Sequence, residues 1–158
     1  MRILFLGDVV GRSGRDALVA KLPELRRQLR AELVIVNGEN ASHGFGLAPD
    51  MARAFFASGA DVITLGNHAW DRKELLPYIA ETPRLIRPLN FPPGTPGAGV
   101  TTVELADGRK AVVLNAMGRL FMDALDCPFR LTAQELARYK LGASVSAIIM
   151  DFHAEATS

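Results

Sequence analysis

Four short apolar runs in this sequence end in side chains able to bind a cation or move a proton. "ILFLGDVVGR" runs into Gly7-Asp8, and "LVIVNGENASHG" into Gly38-Glu39-Asn40. "VITLGNHAWD" runs into Asn67-His68, and "SAIIMDFHAEATS" into Asp151 and His153. In open α/β sheets, ligands bind beyond the carboxyl ends of the strands. If the four runs are strands pointing one way, their ends meet on one rim of carboxylates, carboxamides and imidazoles. Such a mixed oxygen and nitrogen ligand set suits Mn, Fe, Zn or Mg. Crowded carboxylates repel each other without a cation. A divalent ion, or a pair bridged by one carboxylate, removes that penalty.

Each residue also has an ordinary structural reading. Asp8 can cap the turn that follows it, and Glu39 can be a solvated loop charge. Asn40 and Asn67 are common turn and cap residues. His68 and His153 can be satisfied core histidines. Asp151 reads first as a structural partner, and His43 as a loop residue near the site. The grouping favours a site: all three histidines lie close to strand ends, and none lies on a helix surface. "GDVVGRSGR" resembles a phosphate-cradling turn but matches neither G-x-G-x-x-G nor G-x-x-x-x-G-K-[ST]. A dinucleotide-binding reading would also leave Asn67, His68 and His153 unexplained.

The elements that must hold these ends alternate in type. Ile3 to Leu6, Leu33 to Val36, Val62 to Leu65 and Val145 to Met150 read as buried strands. "GRDALVAKLPELRRQLRA" places Leu18, Leu22, Leu25 and Leu29 at helical spacing, with Ser13 as N-cap and a kink at Pro23. "APDMARAFFASGA" reads as a helix ended by Gly59, and "DRKELLPYIAE" as a short helix stopped near Pro83. This rhythm predicts a parallel sheet covered by helices on both faces. "RPLNFPPGTPGAG" reads as an ordered loop near the site, its apolar part around Phe91 suiting a pocket lip or a homo-oligomer interface. Val100 to Asn115 reads as a hairpin around Asp107-Gly108. "LTAQELARYKLG" reads as a helix capped by Thr132, with Glu135 at the capping-box position.

With 158 residues the chain suits one domain. A net charge of +1 gives no strong signal for nucleic acid or a membrane surface. Its single cysteine, Cys127, suits a reducing, cytoplasmic setting. No apolar stretch approaches the roughly 18 residues of a membrane span.

"GDVVG", "NGENASHGFG", "GNHAWD", "RPLNFPPGTPG" and "DFHAEATS", in this order, resemble the YmdB-like branch of the calcineurin-type metallophosphoesterases. The resemblance implies a four-layer α/β/β/α sandwich, two divalent metal ions, Fe or Mn before Mg or Zn, and hydrolysis of phosphodiesters. Cyclic nucleotides such as 2′,3′-cyclic AMP are the implied substrates. It further implies that Asp8 and Asn40 bind the first metal, Glu39 bridges both, Asn67 and His153 bind the second, and His68 protonates the leaving oxygen. Two departures from the broader superfamily stand out: Val10 occupies the place of a histidine, and Glu39 that of a bridging aspartate. The family's later Gly-Thr-His-Thr-His type segment, with two more histidine ligands, is absent from these 158 residues. Residues 1–158 are therefore expected to form one metallophosphoesterase domain that is incomplete at its C-terminus. The alternative expectation is a non-catalytic metal- or nucleotide-binding regulatory module.

Overall fold

The computed structural model describes residues 1–154. In chain order the elements are β1 (Ile3–Leu6), α1 (Gly11–Leu29), β2 (Leu33–Asn37), α2 (Pro49–Ser58), β3 (Val62–Thr64), a 3-10 turn (Asn67–Trp70), α3 (Leu75–Ala80) and β4 (Leu85–Ile86). There follow β5 (Val100–Glu104), β6 (Lys110–Met117), α4 (Pro128–Leu136) and β7 (Ala147–His153). The first sheet has the order β1-β2-β3-β4 and is parallel throughout. The second has the order β5-β6-β7, with β5 antiparallel and β7 parallel to β6.

Strand periodicity explains the layering. Alternate residues of a strand point to opposite faces. Val34, Val36 and Ile63 pack with Leu18, Leu22 and Phe55 from the helices. Their neighbours Leu33, Ile35 and Val62 pack instead with Ala111 and Val113 of the second sheet. On the far side of that sheet, Val112 and Leu114 meet Leu136 and Tyr139 from α4 and the turn after it. The result is an α/β/β/α sandwich. The expectation of helices on both faces of the parallel sheet is corrected: one face is covered by the second sheet. A strand buried on both sides looks the same in sequence whichever element covers it.

Helix starts differ as well. α1 begins at Gly11, so Ser13 lies inside it and is not its cap; the N-cap is Val10, without a side-chain bond. The Gly11 N–H donates instead to Asn40 O at 3.0 Å. Pro23 lies within α1, which runs on through it to Leu29. α4 begins at Pro128, a favoured first helical position, so Thr132 is interior and not a cap. β7 reaches His153, beyond the predicted Met150, so Asp151 and His153 are strand residues with defined faces. No helix among the described residues is long and apolar enough to cross a membrane.

Candidate metal centre at the strand ends

Each candidate ligand is held by the end of a strand whose interior packing fixes it. After β1 the chain turns through Asp8, whose φ of 50° is left-handed. That conformation is unfavourable for most side chains, and aspartate is one of the few that tolerates it. Two backbone bonds to the β2 side hold the turn: Val9 N–H donates to Asn37 O at 3.1 Å, and Gly11 N–H to Asn40 O at 3.0 Å. Asn40 Nδ2 then donates to Asp8 Oδ1 at 2.6 Å. A non-glycine residue kept left-handed by its surroundings is the kind of strain found at functional sites.

Glu39 follows β2 and is only 3% exposed. A buried carboxylate needs partners. His153 Nδ1 lies 2.6 Å from Glu39 Oε1, so β7 closes on β2 at this point. The His68 backbone N–H reaches Glu39 Oε2 over a long 3.5 Å. Gly66 makes room for the carboxylate: a Cβ there would lie 2.1 Å from Oε2 and 2.5 Å from the carboxyl carbon. Any larger side chain at that position would have to displace the Glu39 carboxylate.

Asn67 and His68 sit on the 3-10 turn after β3. Asn67 Nδ2 lies 3.4 Å from His68 Nε2. The Asn67 carbonyl oxygen, Oδ1, is buried and accepts no hydrogen bond from the described residues. His68 Nδ1 lies 2.7 Å from Asp71 Oδ2, three residues along. The ring of Phe45 meets the His68 imidazole edge to face, with centroids 5.2 Å apart.

Beneath these groups the two sheets are stitched by polar side chains. Asn37 and Thr64, paired in register across β2 and β3, both reach Asp151 Oδ2, at 2.9 and 2.5 Å. Asn115 on β6 accepts from Leu65 N–H at 3.3 Å and donates to Asp151 O at 3.1 Å. Asp151 is thus the structural partner it was first read as. Asp151→Ala is expected to lower stability by about 2 kcal/mol, since it removes the shared acceptor of Asn37 and Thr64 between the sheets. A urea unfolding midpoint measures this; an unchanged midpoint would show that the stitch contributes nothing.

The structure brings the predicted ligands and the proposed acid into one neighbourhood. Asp8, Glu39, Asn40 and His153 line one cleft of about 400 Å³, together with Phe5, Asn37 and Asp151. Asn67 and His68 adjoin it through Gly66 and the Glu39 carboxylate. His43 is exposed on the neighbouring loop and does not line the cleft. Asp71, Gly66, Asn37, Thr64 and Asn115 were assigned no role from sequence. An asparagine inside the apolar run "AVVLNAMG" and a carboxylate three residues after a turn histidine were the available signals.

A divalent metal fits the donors present. Asn67 Oδ1, buried without a hydrogen-bond donor among the described residues, is a lone-pair site that a cation satisfies. The carboxylates and amides supply the hard oxygen ligands such ions prefer. Among the described residues, no group of three His, Cys, Asp or Glu side chains is arranged to hold a metal by itself. The amides of Asn40 and Asn67 lie beside the carboxylates as further oxygen donors.

A sequence profile for the YmdB-like protein family matches residues 4–158. The chain belongs to the YmdB-like family. A 2′,3′-cyclic-nucleotide 2′-phosphodiesterase of Bacillus subtilis (strain 168) is 49% identical over 158 residues, all of this chain and 59% of that protein. A crystal structure of a hypothetical protein from Thermus thermophilus is 43% identical, with a TM-score of 0.89 over 99% of this chain and 59% of that one. A phosphatase from Mycoplasma pneumoniae is 32% identical, with a TM-score of 0.85 over 98% of this chain and 55% of that one. This YmdB-like chain thus spans little more than half the length of these relatives. The likeness establishes the calcineurin-like sandwich. The tail of the "DFHAEATS" motif, residues 155–158, lies outside the described residues.

Proposed function

We propose that these residues carry part of the centre of a metal-dependent phosphodiesterase acting on 2′,3′-cyclic nucleotides. The observation that carries this reading is the buried Glu39 carboxylate, held between His153 and the Asn67-His68 turn, with the buried Asn67 Oδ1 beside it. The name of the Bacillus subtilis relative supports the substrate class. Asp8, Glu39, Asn40, Asn67 and His153 are the proposed ligands of two divalent ions, Fe or Mn in the first instance. Further imidazole ligands are expected from the histidine-rich segment that the family resemblance implies. When bound, such ions neutralise phosphate charge and make water more acidic.

The chain's own groups divide the remaining work. Asn67 offers an oxygen without adding negative charge, which helps a site that must admit an anion. As water adds to phosphorus, the bond from phosphorus to the leaving oxygen breaks and that oxygen needs a proton. His68 is the proposed donor. Asp71 holds Nδ1 at 2.7 Å, which leaves Nε2 as the atom that passes the proton on. A cytoplasmic location belongs to the same proposal and rests on the single cysteine.

The test is elemental analysis of protein purified without chelator, followed by turnover of 2′,3′-cyclic AMP with added Mn²⁺ or Fe²⁺. Transition metal near two ions per chain, with turnover, is the expected result. Metal without turnover would favour the non-catalytic binding module. Absence of metal would remove the centre itself.

A further inference from the structure

Phe45 is 58% exposed, yet it stands on a loop tied by several hydrogen bonds. His43, Gly44 and Gly46 around it are all left-handed, with φ of 57°, 87° and 81°. Gly44 N–H donates to Asn40 O at 2.9 Å, Phe45 N–H to Ser42 O at 3.0 Å, and Ser42 N–H to Gly46 O at 2.9 Å. Arg72 Nε donates to Phe45 O at 3.3 Å. At Gly46 a Cβ would lie 2.9 Å from Arg72 Cγ, so the close approach needs glycine. The chain therefore commits a left-handed non-glycine residue, His43, two glycines and several hydrogen bonds to holding a phenyl ring out in water. The ring stands beside His68, with centroids 5.2 Å apart.

Chemistry says what belongs there. Hydrolysis of a nucleoside 2′,3′-cyclic phosphate at the 2′ position forms one bond from water oxygen to phosphorus. It breaks the bond from phosphorus to O2′, and a proton passes to O2′. That oxygen sits on the ribose carbon next to the one bearing the base. A group that protonates O2′ must therefore stand close to the base. An exposed aromatic ring beside that group offers a stacking face, which suits any base because every base has one.

We propose that Phe45 is the nucleobase-stacking surface of the site, giving it a preference for nucleotides over phosphates that lack a base. This rests on the phosphodiesterase reading above. The test is equilibrium binding, with Mn²⁺ present, of adenosine 3′-phosphate and of glycerol 2-phosphate, to the protein and to Phe45→Ala and Phe45→Trp. Phe45→Ala is expected to weaken adenosine 3′-phosphate binding about tenfold, to leave glycerol 2-phosphate unchanged, and to be rescued by Phe45→Trp. Equal effects on both ligands, no effect on either, or no rescue by tryptophan would overturn it. Turnover of 2′,3′-cyclic AMP and of glycerol 1,2-cyclic phosphate is followed in parallel. If the protein hydrolyses neither, the hydrolase reading falls, while the binding comparison still decides the role of Phe45.

Discussion

Gly66→Ala is expected to strip the site of metal while leaving the fold standing. The added methyl would sit 2.1 Å from Glu39 Oε2, far inside van der Waals contact. Glu39 has little room to withdraw, because it is 3% exposed and pinned to His153. The neighbouring Gly38 is walled in by Ile63, Phe55 and Leu47, so the backbone is held as well. Overpacking of this kind destabilises by about 1–3 kcal/mol, which a domain of ordinary stability survives. The proposed bridging carboxylate must then turn away from the position in which it would ligate. Metal per chain after gel filtration, read beside a thermal melt, checks the prediction. Full metal content in a folded Gly66→Ala protein would show that the carboxylate's present position is not the binding position.

The second large effect separates binding from proton transfer. Glu39→Ala is expected to lose both metal and turnover, because it deletes the proposed bridging ligand and takes from His153 the carboxylate 2.6 Å away. His68→Ala is expected to keep its metal and lose turnover by about 10²- to 10⁴-fold, the range of a lost general acid. The His68 side chain meets Asp71, Asn67 and Phe45 at the edge of the cleft, and its loss leaves the Glu39–His153 pair in place. Comparable metal loss in the two variants would refute this division of roles.

The grouping of the candidate residues was legible because each proposed ligand follows an apolar run closely. Ile3 to Leu6, Leu33 to Val36 and Val62 to Leu65 announce strands, and parallel strands share a rim, so Asp8, Glu39 and Asn67 could be grouped without coordinates. His153 was grouped the same way, although its strand lies in the other sheet. The covering of the first sheet was not legible. Ile35 and Val36 are equally apolar, yet one faces a sheet and the other a helix. Cap positions failed for a physical reason: at Ser13 and Thr132 the expected hydroxyl caps lie inside helices that start earlier without side-chain caps. The α1 start is tied down by the carbonyl of Asn40, a contact far away in sequence. Asp71 and Gly66 escaped notice because their importance lies in what they touch. Residue type alone marks neither.

The stitch between the sheets also orders events during synthesis. Asn37 and Asp151 are separated by 114 positions, and Glu39 waits equally long for His153. Helices and parallel strands near the N-terminus leave the ribosome early, whereas the two partners on β7 follow 114 positions after Asn37 and Glu39. Until then Glu39 lacks its imidazole, and Asn37 and Thr64 lack their shared carboxylate. Closing so long a loop costs chain entropy that contacts of the second sheet help to offset. An unfinished chain therefore carries Asp8, Glu39, Asn40 and Asn67, the proposed oxygen ligands, before the proposed imidazole ligand His153 has been made.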